Sequence, residues 1–388
     1  MSSIEIFEEK FSKKPDRIFW SPGRVCIIGE HTDYHDGFVM PAAIDLGFTW
    51  FVCKNGNIVQ GYSEKFDEIG SFDIRKSERT KFEWMLYLQG VVETLKKRKK
   101  SFSAVNFAIH STLPIGSGLS SSSSLATGFT YILNKISNLK FDRPEIAKVA
   151  CEAEWWYGTT GGIMDQYCIA NGKKGHAVLL DCRKFEHEYI KLPEDIEMVI
   201  FETTIRHKQV DSPFDLRKQQ ARKVIEVAKE HFKDKEISAL RDISHDMLRE
   251  IKPQVLEKFG KKEGEMILRR SKHPILENLR VFRMKEAFIK NDQDQIGQIL
   301  YECHESLRDN YEVSCPELDS AVEIAKNIDG IIGSRMVGGG YGGCTLNLVK
   351  KGTAQRFAGE IEEMFRKETG IKGNAYICHA SDGVEEIK

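Results

Sequence analysis

The chain has 388 residues with Lys+Arg 57 and Asp+Glu 58, a formal net charge of -1. With 41% hydrophobic and 30% charged residues it reads as a globular chain of about two to three domains, with too many aromatics and too little net charge for disorder. The balance excludes a broadly basic nucleic-acid-binding surface, so any anion must be met by a local arrangement.

Nine cysteines at irregular spacing, with no C-x-x-C, argue against a disulfide framework or a zinc ribbon. Reduced thiols in a cytoplasmic protein are the expectation. Residues 1–14 are polar and lack the apolar core of a secretory signal. No window approaches the ~20 apolar residues of a membrane span.

In chain order, residues 25–28, 49–53 and 105–110 read as strands. Residues 84–97 read as a helix, with Trp84, Leu88, Val91 and Leu95 on one stripe. Its basic end, 96–100, reads as a solvated face at the negative end of the helix dipole. Asp142 caps a helix that has Arg143 and Pro144 in its first turn and runs to about Tyr157. Residues 177–181 and 198–202 are strands. The polar segment between them, which contains Pro193, marks a boundary between domains at 1–193 and 194–388. Residues 215–327 are mostly helical, with Ser314 and Glu317 as a capping box. A strand over 345–349, a helix over 355–367 and a strand over 375–379 close the chain. Strands and helices intermix without strict βαβ alternation, so the fold class is α+β.

Four stretches carry chemistry. After the strand at 105–110 comes a glycine-serine loop, Gly116-Ser117-Gly118-Leu119-Ser120-Ser121-Ser122, and then a helical pattern. The free N–H groups of a helix start suit a phosphate. The lysine of a Walker A loop is absent. The alternative is a serine-rich cap with no ligand, but five consecutive serines are poor helix formers and invite another reason. The second stretch places Glu30, His31, Thr32 and Asp33 at the end of a short apolar strand. Such a set suits a polyhydroxylated ligand, or else a plain polar turn. The third sets Asp165 behind Gly161 and Gly162, which suits a carboxylate held close to a ligand, or else a plain turn aspartate. The fourth, 337–343, holds five glycines in seven residues, either a nest of N–H groups, a passage of backbone past a ligand, or a flexible turn.

Together these stretches resemble the galactokinase family. Gly23-Arg24-Val25 with Gly29-Glu30-His31-Thr32-Asp33-Tyr34 is similar to that family's fingerprint. Pro114 through Ser124, and 337–343 ahead of Cys344, resemble motifs of the wider superfamily of galactokinase, homoserine kinase, mevalonate kinase and phosphomevalonate kinase. The segments 162–166, 180–182, 206–207 and 306–319 also match, so the likeness runs from about Trp20 to His379.

The resemblance implies a two-domain α+β kinase architecture. Its N-terminal domain would be like ribosomal protein S5 domain 2, its C-terminal domain ferredoxin-like, and its active site would lie in the cleft between them. It implies transfer of the γ-phosphate of MgATP to the anomeric hydroxyl of galactose. Asp165 stands at the catalytic position and Arg24 at that of the arginine beside it. Glu30, His31 and Asp33 fall on sugar contacts, with Gly162 as a backbone contact. Gly116 to Ser122 would cradle the phosphates, and Ser122 and Glu154 would hold Mg²⁺. The implied partners are small molecules, with no nucleic acid and no membrane, in a cytoplasmic monomer or weak oligomer.

The chain departs from the family pattern at Cys26, His35, Val337 and Tyr341. Phe214 stands where the family has a sugar-contacting Tyr. The expectation is one hydrogen bond fewer, about 0.5–1.5 kcal/mol, or a different epimer or C6-modified sugar. Glu30 suits an unmodified C6 hydroxyl and would repel a C6 carboxylate. Other readings are a 1-kinase for galacturonate, arabinose or N-acetylgalactosamine, and a non-catalytic sugar sensor.

Overall fold

The computed structural model describes residues 3–114, 118–206 and 213–387. Among them, twelve strands form two sheets. The first sheet contains β1 (Arg17–Ile28), β2 (Phe38–Lys54), β3 (Ile58–Ser63), β4 (Glu68–Asp73), β5 (Val105–Ser111), β6 (His176–Asp181) and β7 (Glu186–Lys191). The second contains β8 (Ile196–Arg206), β9 (Ile331–Val337), β10 (Gly342–Lys350) and β11 (Asn374–Cys378). A two-residue strand, β12 (Glu385–Glu386), returns to pair with Phe19 and Trp20 of β1.

The first sheet runs β12-β1-β2-β5-β3-β4, with β6 on β2 and β7 on β6, and only β3–β5 is parallel. Trp50 of β2 is fully buried against Phe107 of β5 and Phe129 of the helix Ser121–Ser137. The second sheet runs β11-β8-β10-β9, all antiparallel. The helices Pro316–Lys326 and Ala354–Thr369 pack on it. Phe201, Phe357, Ile361 and Phe365 fill that core at 0% exposure, a separate apolar cluster from the one under the first sheet.

Local signals in the sequence hold. The Asp142 side chain accepts from the Glu145 N–H at the start of the helix Arg143–Tyr157. Two expectations need correction. The helix predicted at Trp84 begins at Leu86, because Trp84 lies in a 3₁₀ turn, its ring edge against Phe107 of the core and also lining a cavity. Ser314 is not a cap. Cys315 occupies that position, Pro316 opens the helix, and the Ser314 hydroxyl donates instead to Asp319. The strands β3, β4, β7, β9 and β12 had no clear alternation to announce them. No two cysteines are bridged among the described residues, and no helix there is long and apolar enough to cross a membrane.

Candidate active site

The centre of the site is an ion pair. Arg24, on β1, donates through Nε to Asp165 Oδ1 at 2.7 Å and through Nη2 to Oδ2 at 2.6 Å. Its Nη1 donates to the Gly118 carbonyl at 2.7 Å. All three guanidinium nitrogens are therefore committed, and the planar fork fixes the carboxylate in two directions. Burial works to lower the Arg24 pKa, but Asp165 and Glu30 outweigh it and raise the value. Asp165 sits in the first turn of the helix Met164–Asn171, where the dipole favours its charge, and its side chain is 23% exposed.

The serine run is explained residue by residue. Ser120, at φ 61, donates its hydroxyl to Asp165 and so makes no cap bond of its own. Ser123 is buried and accepts from Gln166 Nε2 at 3.3 Å. Ser124 is fully buried and donates to the Ser21 carbonyl at 3.0 Å, fastening the helix to β1. Ser121 and Ser122 face a cavity of about 720 Å³ that Trp84, Tyr87, Phe82, Phe66 and Tyr157 also line. Gly118, at φ 78, and buried Leu119 complete the described loop, while Gly116 and Ser117 lie outside the described residues.

Glu154 lies next to this helix start. It accepts from Gln166 Nε2 at 2.9 Å and bonds Ser123 rather than Ser122. Burial, and then the charge of Asp165, push its pKa up to about 7 against those hydrogen bonds. Gln166 Oε1 beside it is buried with no hydrogen-bond partner.

The second part of the site is the loop after β1. Glu30 is 3% exposed, pairs with Arg335 at 3.1 Å and accepts the Gly338 N–H. Burial raises its pKa, and Arg335 and Arg24 oppose the shift. His31 is also buried, with Nδ1 2.7 Å from the Tyr34 hydroxyl. Burial, then His273 and Arg335, lower its pKa to about 3, so at neutral pH the ring is uncharged and can both donate and accept. Asp33 accepts from the Met164 N–H at 3.4 Å. A Cβ on Gly162 would sit 2.2 Å from Asp33 Oδ2, so only glycine lets this backbone meet the carboxylate. Burial, then Asp165, push the Asp33 pKa up to about 6.

The structure thus gathers Arg24, Asp165, Gly118 and Ser120 into one hydrogen-bonded cluster. Asp33 and Gly162 adjoin it through Met164, and Glu154 lies within its electrostatic reach. Phe214 falls in the helix Pro213–His231, with its side chain outside the described residues. Sequence reading missed Arg335, His273 and the aromatic cavity. A lone charged residue inside an otherwise uncharged strand, as in Ile331–Val337, is the signal that could have found Arg335.

Three family models match stretches of this chain. Residues 5–54 match the galactokinase galactose-binding signature. Residues 87–173 match the GHMP kinases N terminal domain, and 284–367 the GHMP kinases C terminal model. With the fold, they define a two-domain small-molecule kinase of that superfamily. Mevalonate kinase shares the fold at a TM-score of 0.62 and 17% identity, over 94% of this chain and 99% of that one. The galactokinase of Glaesserella parasuis is 35% identical, over 98% of this chain and 97% of the relative. The galactokinase of Bacillus subtilis is also 35% identical, over 99% and 98%. A crystal structure of Lactococcus lactis galactokinase complexed with galactose superposes at a TM-score of 0.91 and 29% identity, over 99% of this chain and 98% of that one. The chain belongs to the galactokinase family and is an ATP-dependent sugar kinase.

Proposed function

We propose that this enzyme transfers the γ-phosphate of ATP to the C1 hydroxyl of galactose, giving galactose 1-phosphate and ADP. The observation that carries the reading is the Arg24–Asp165–Ser120 cluster at the start of the helix Ser121–Ser137. Phosphoryl transfer asks a protein mainly for positioning and charge stabilisation. Asp165 Oδ2 accepts from both Arg24 and Ser120, whereas Oδ1 accepts from Arg24 alone and keeps a second lone-pair direction for the C1 hydroxyl proton. As that proton moves, the sugar oxygen bonds to the γ-phosphorus. The bond from phosphorus to the bridging oxygen then breaks, and ADP leaves with the electron pair.

Glu30, His31, Asp33 and the backbone at Gly162 orient the sugar, with Glu30 on the C6 hydroxyl. Phe214 contributes no hydroxyl to it. Gly116, Ser117, Gly118, Leu119, Ser120, Ser121 and Ser122 cradle the phosphates. The aromatic-lined cavity beside Ser121 and Ser122 takes the nucleoside.

Mg²⁺, when bound, neutralises charge on the transferring phosphates. Glu154 and Ser122 would hold it: their oxygen donors, with the orphaned Oε1 of Gln166, which donates through Nε2 to Glu154, fit a hard cation. The chain divides at 193/194, between β7 and β8, and works in the cytoplasm as a monomer or weak oligomer on small molecules alone.

An ADP-coupled assay over galactose, glucose, 2-deoxygalactose, arabinose, galacturonate and N-acetylgalactosamine tests the reading. Phosphorus NMR then locates the phosphate on the product. A C6 phosphate, or a preference for another of these sugars, would overturn it. Sugar binding without ADP release would favour the sensor.

A further inference from the structure

Arg335 lies on β9 of the second sheet, fully buried, yet it points into the end of β1 in the first. Its Nε donates to the Ile27 carbonyl at 2.9 Å and its Nη1 to the Met336 carbonyl at 2.8 Å. Its Nη2 donates to the Cys26 carbonyl and to Glu30 Oε2, the latter at 3.1 Å. Three carbonyls therefore fix the plane of the guanidinium, and one edge is left for the carboxylate.

The same loop is held twice more by the helix Lys261–Lys290. His273 Nε2 donates to the Glu30 carbonyl at 3.0 Å, with Ser306 on the other ring nitrogen. Glu277 Oε1 accepts the Gly29 N–H at 2.8 Å, and its Oε2 accepts from Arg280. A buried carboxylate without a partner is costly, and a guanidinium fixed by backbone leaves it few orientations.

We infer that Arg335 is a positioning residue for sugar recognition, acting through Glu30 and holding its carboxylate in the orientation that meets the C6 hydroxyl. The inference rests on the proposed role of Glu30 as a sugar contact. It places one determinant of sugar affinity on the second sheet, although the contact residues lie on the first half of the chain.

The test compares Glu30→Gln, Arg335→Gln, Arg335→Lys and the Glu30→Gln/Arg335→Gln double variant. Galactose and 6-deoxygalactose, which lacks the C6 hydroxyl, serve as substrates, and thermal melts report folding. Expected for Arg335→Gln is a KM for galactose raised about tenfold with kcat within about threefold. Its KM for 6-deoxygalactose should stay near that of the parent. The double variant should be no worse for galactose than the more impaired single variant. Arg335→Lys should keep the charge but lose the fork, and recover part of the affinity.

A folded Arg335→Gln with parental KM for galactose would overturn the inference. So would KM shifts equal for the two sugars. If Arg335→Gln does not fold, Arg335→Lys decides by the same comparison: a KM shift for galactose alone supports the inference, and equal or absent shifts overturn it. Glu30→Gln with parental KM for galactose would overturn the sugar assignment of Glu30 itself, a separate failure.

Discussion

Gly338 lies with its Cα against the backbone of Gly118, so the turn after β9 touches the loop that opens the helix Ser121–Ser137. Both residues have positive φ, 80 and 78, and a Cβ on Gly338 would stand 3.1 Å from the Gly118 Cα and carbonyl oxygen. That carbonyl is the one Arg24 Nη1 grips. Gly338→Ala should therefore cost about 1–2 kcal/mol of stability for the left-handed backbone. It should also shift Gly118 and lower kcat by about tenfold through misplacement of Arg24. Urea unfolding and steady-state kinetics on the same preparation check both effects. A kcat equal to the parent would mean the contact is passive.

Asp165 is held by two charged hydrogen bonds from Arg24 and one from Ser120. Asp165→Asn keeps the shape and loses the proton acceptor. Turnover should fall by ~10²-fold or more while the galactose Kd, measured by calorimetry, stays within a few-fold. Arg24→Lys supplies one point charge where the fork makes three bonds, and should lower kcat at least about tenfold.

Features that depend on near neighbours were legible in the sequence. Asp142 bonds Glu145 three residues on, and the β5–loop–helix order at 105–124 is local. Asp165 and Arg24 were found because each stands in a short motif, although 141 residues separate them. Arg335 lies just ahead of the glycine-rich stretch 337–343 and in no motif, and its partner Glu30 is 305 residues away with nothing local to link the two. The two residues of β12 cannot announce a strand, since their pairing with β1 is wholly non-local. The capping box at Ser314 failed because Pro316 fixes the helix start one residue later. The net charge of -1 hid all of this: Arg24 with Asp165, Arg335 with Glu30 and Arg280 with Glu277 are ion pairs whose charges cancel.

Trp84 lies at the cavity beside Ser121 and Ser122, and its Nε1 donates to Glu68 Oε2 at 2.9 Å. An aromatic face here can stack on a purine. Trp84→Ala should raise the KM for ATP about five- to tenfold and leave the KM for galactose unchanged. Equal changes in both would place the nucleoside elsewhere.

Asp33 carries a proton-linked cost. Burial first, and then the charge of Asp165, push its pKa from 3.8 up to about 6. Below the lower value the carboxyl is protonated in both the folded and the unfolded chain, and it does not affect their balance. Between the two values the unfolded chain has released the proton and the native chain has not, so stability falls as pH rises through this window. Above the upper value the cost is complete, on the order of 3 kcal/mol. Asp33→Asn still accepts the Met164 N–H, so its urea midpoint should rise at pH ~7.5 and match the parent at pH ~4. The same change removes a charged acceptor from the sugar hydroxyls and should raise the KM for galactose about tenfold or more. A stability gain that is equal at both pH values would refute the linkage. A gain in stability without loss of affinity would take Asp33 out of the sugar site.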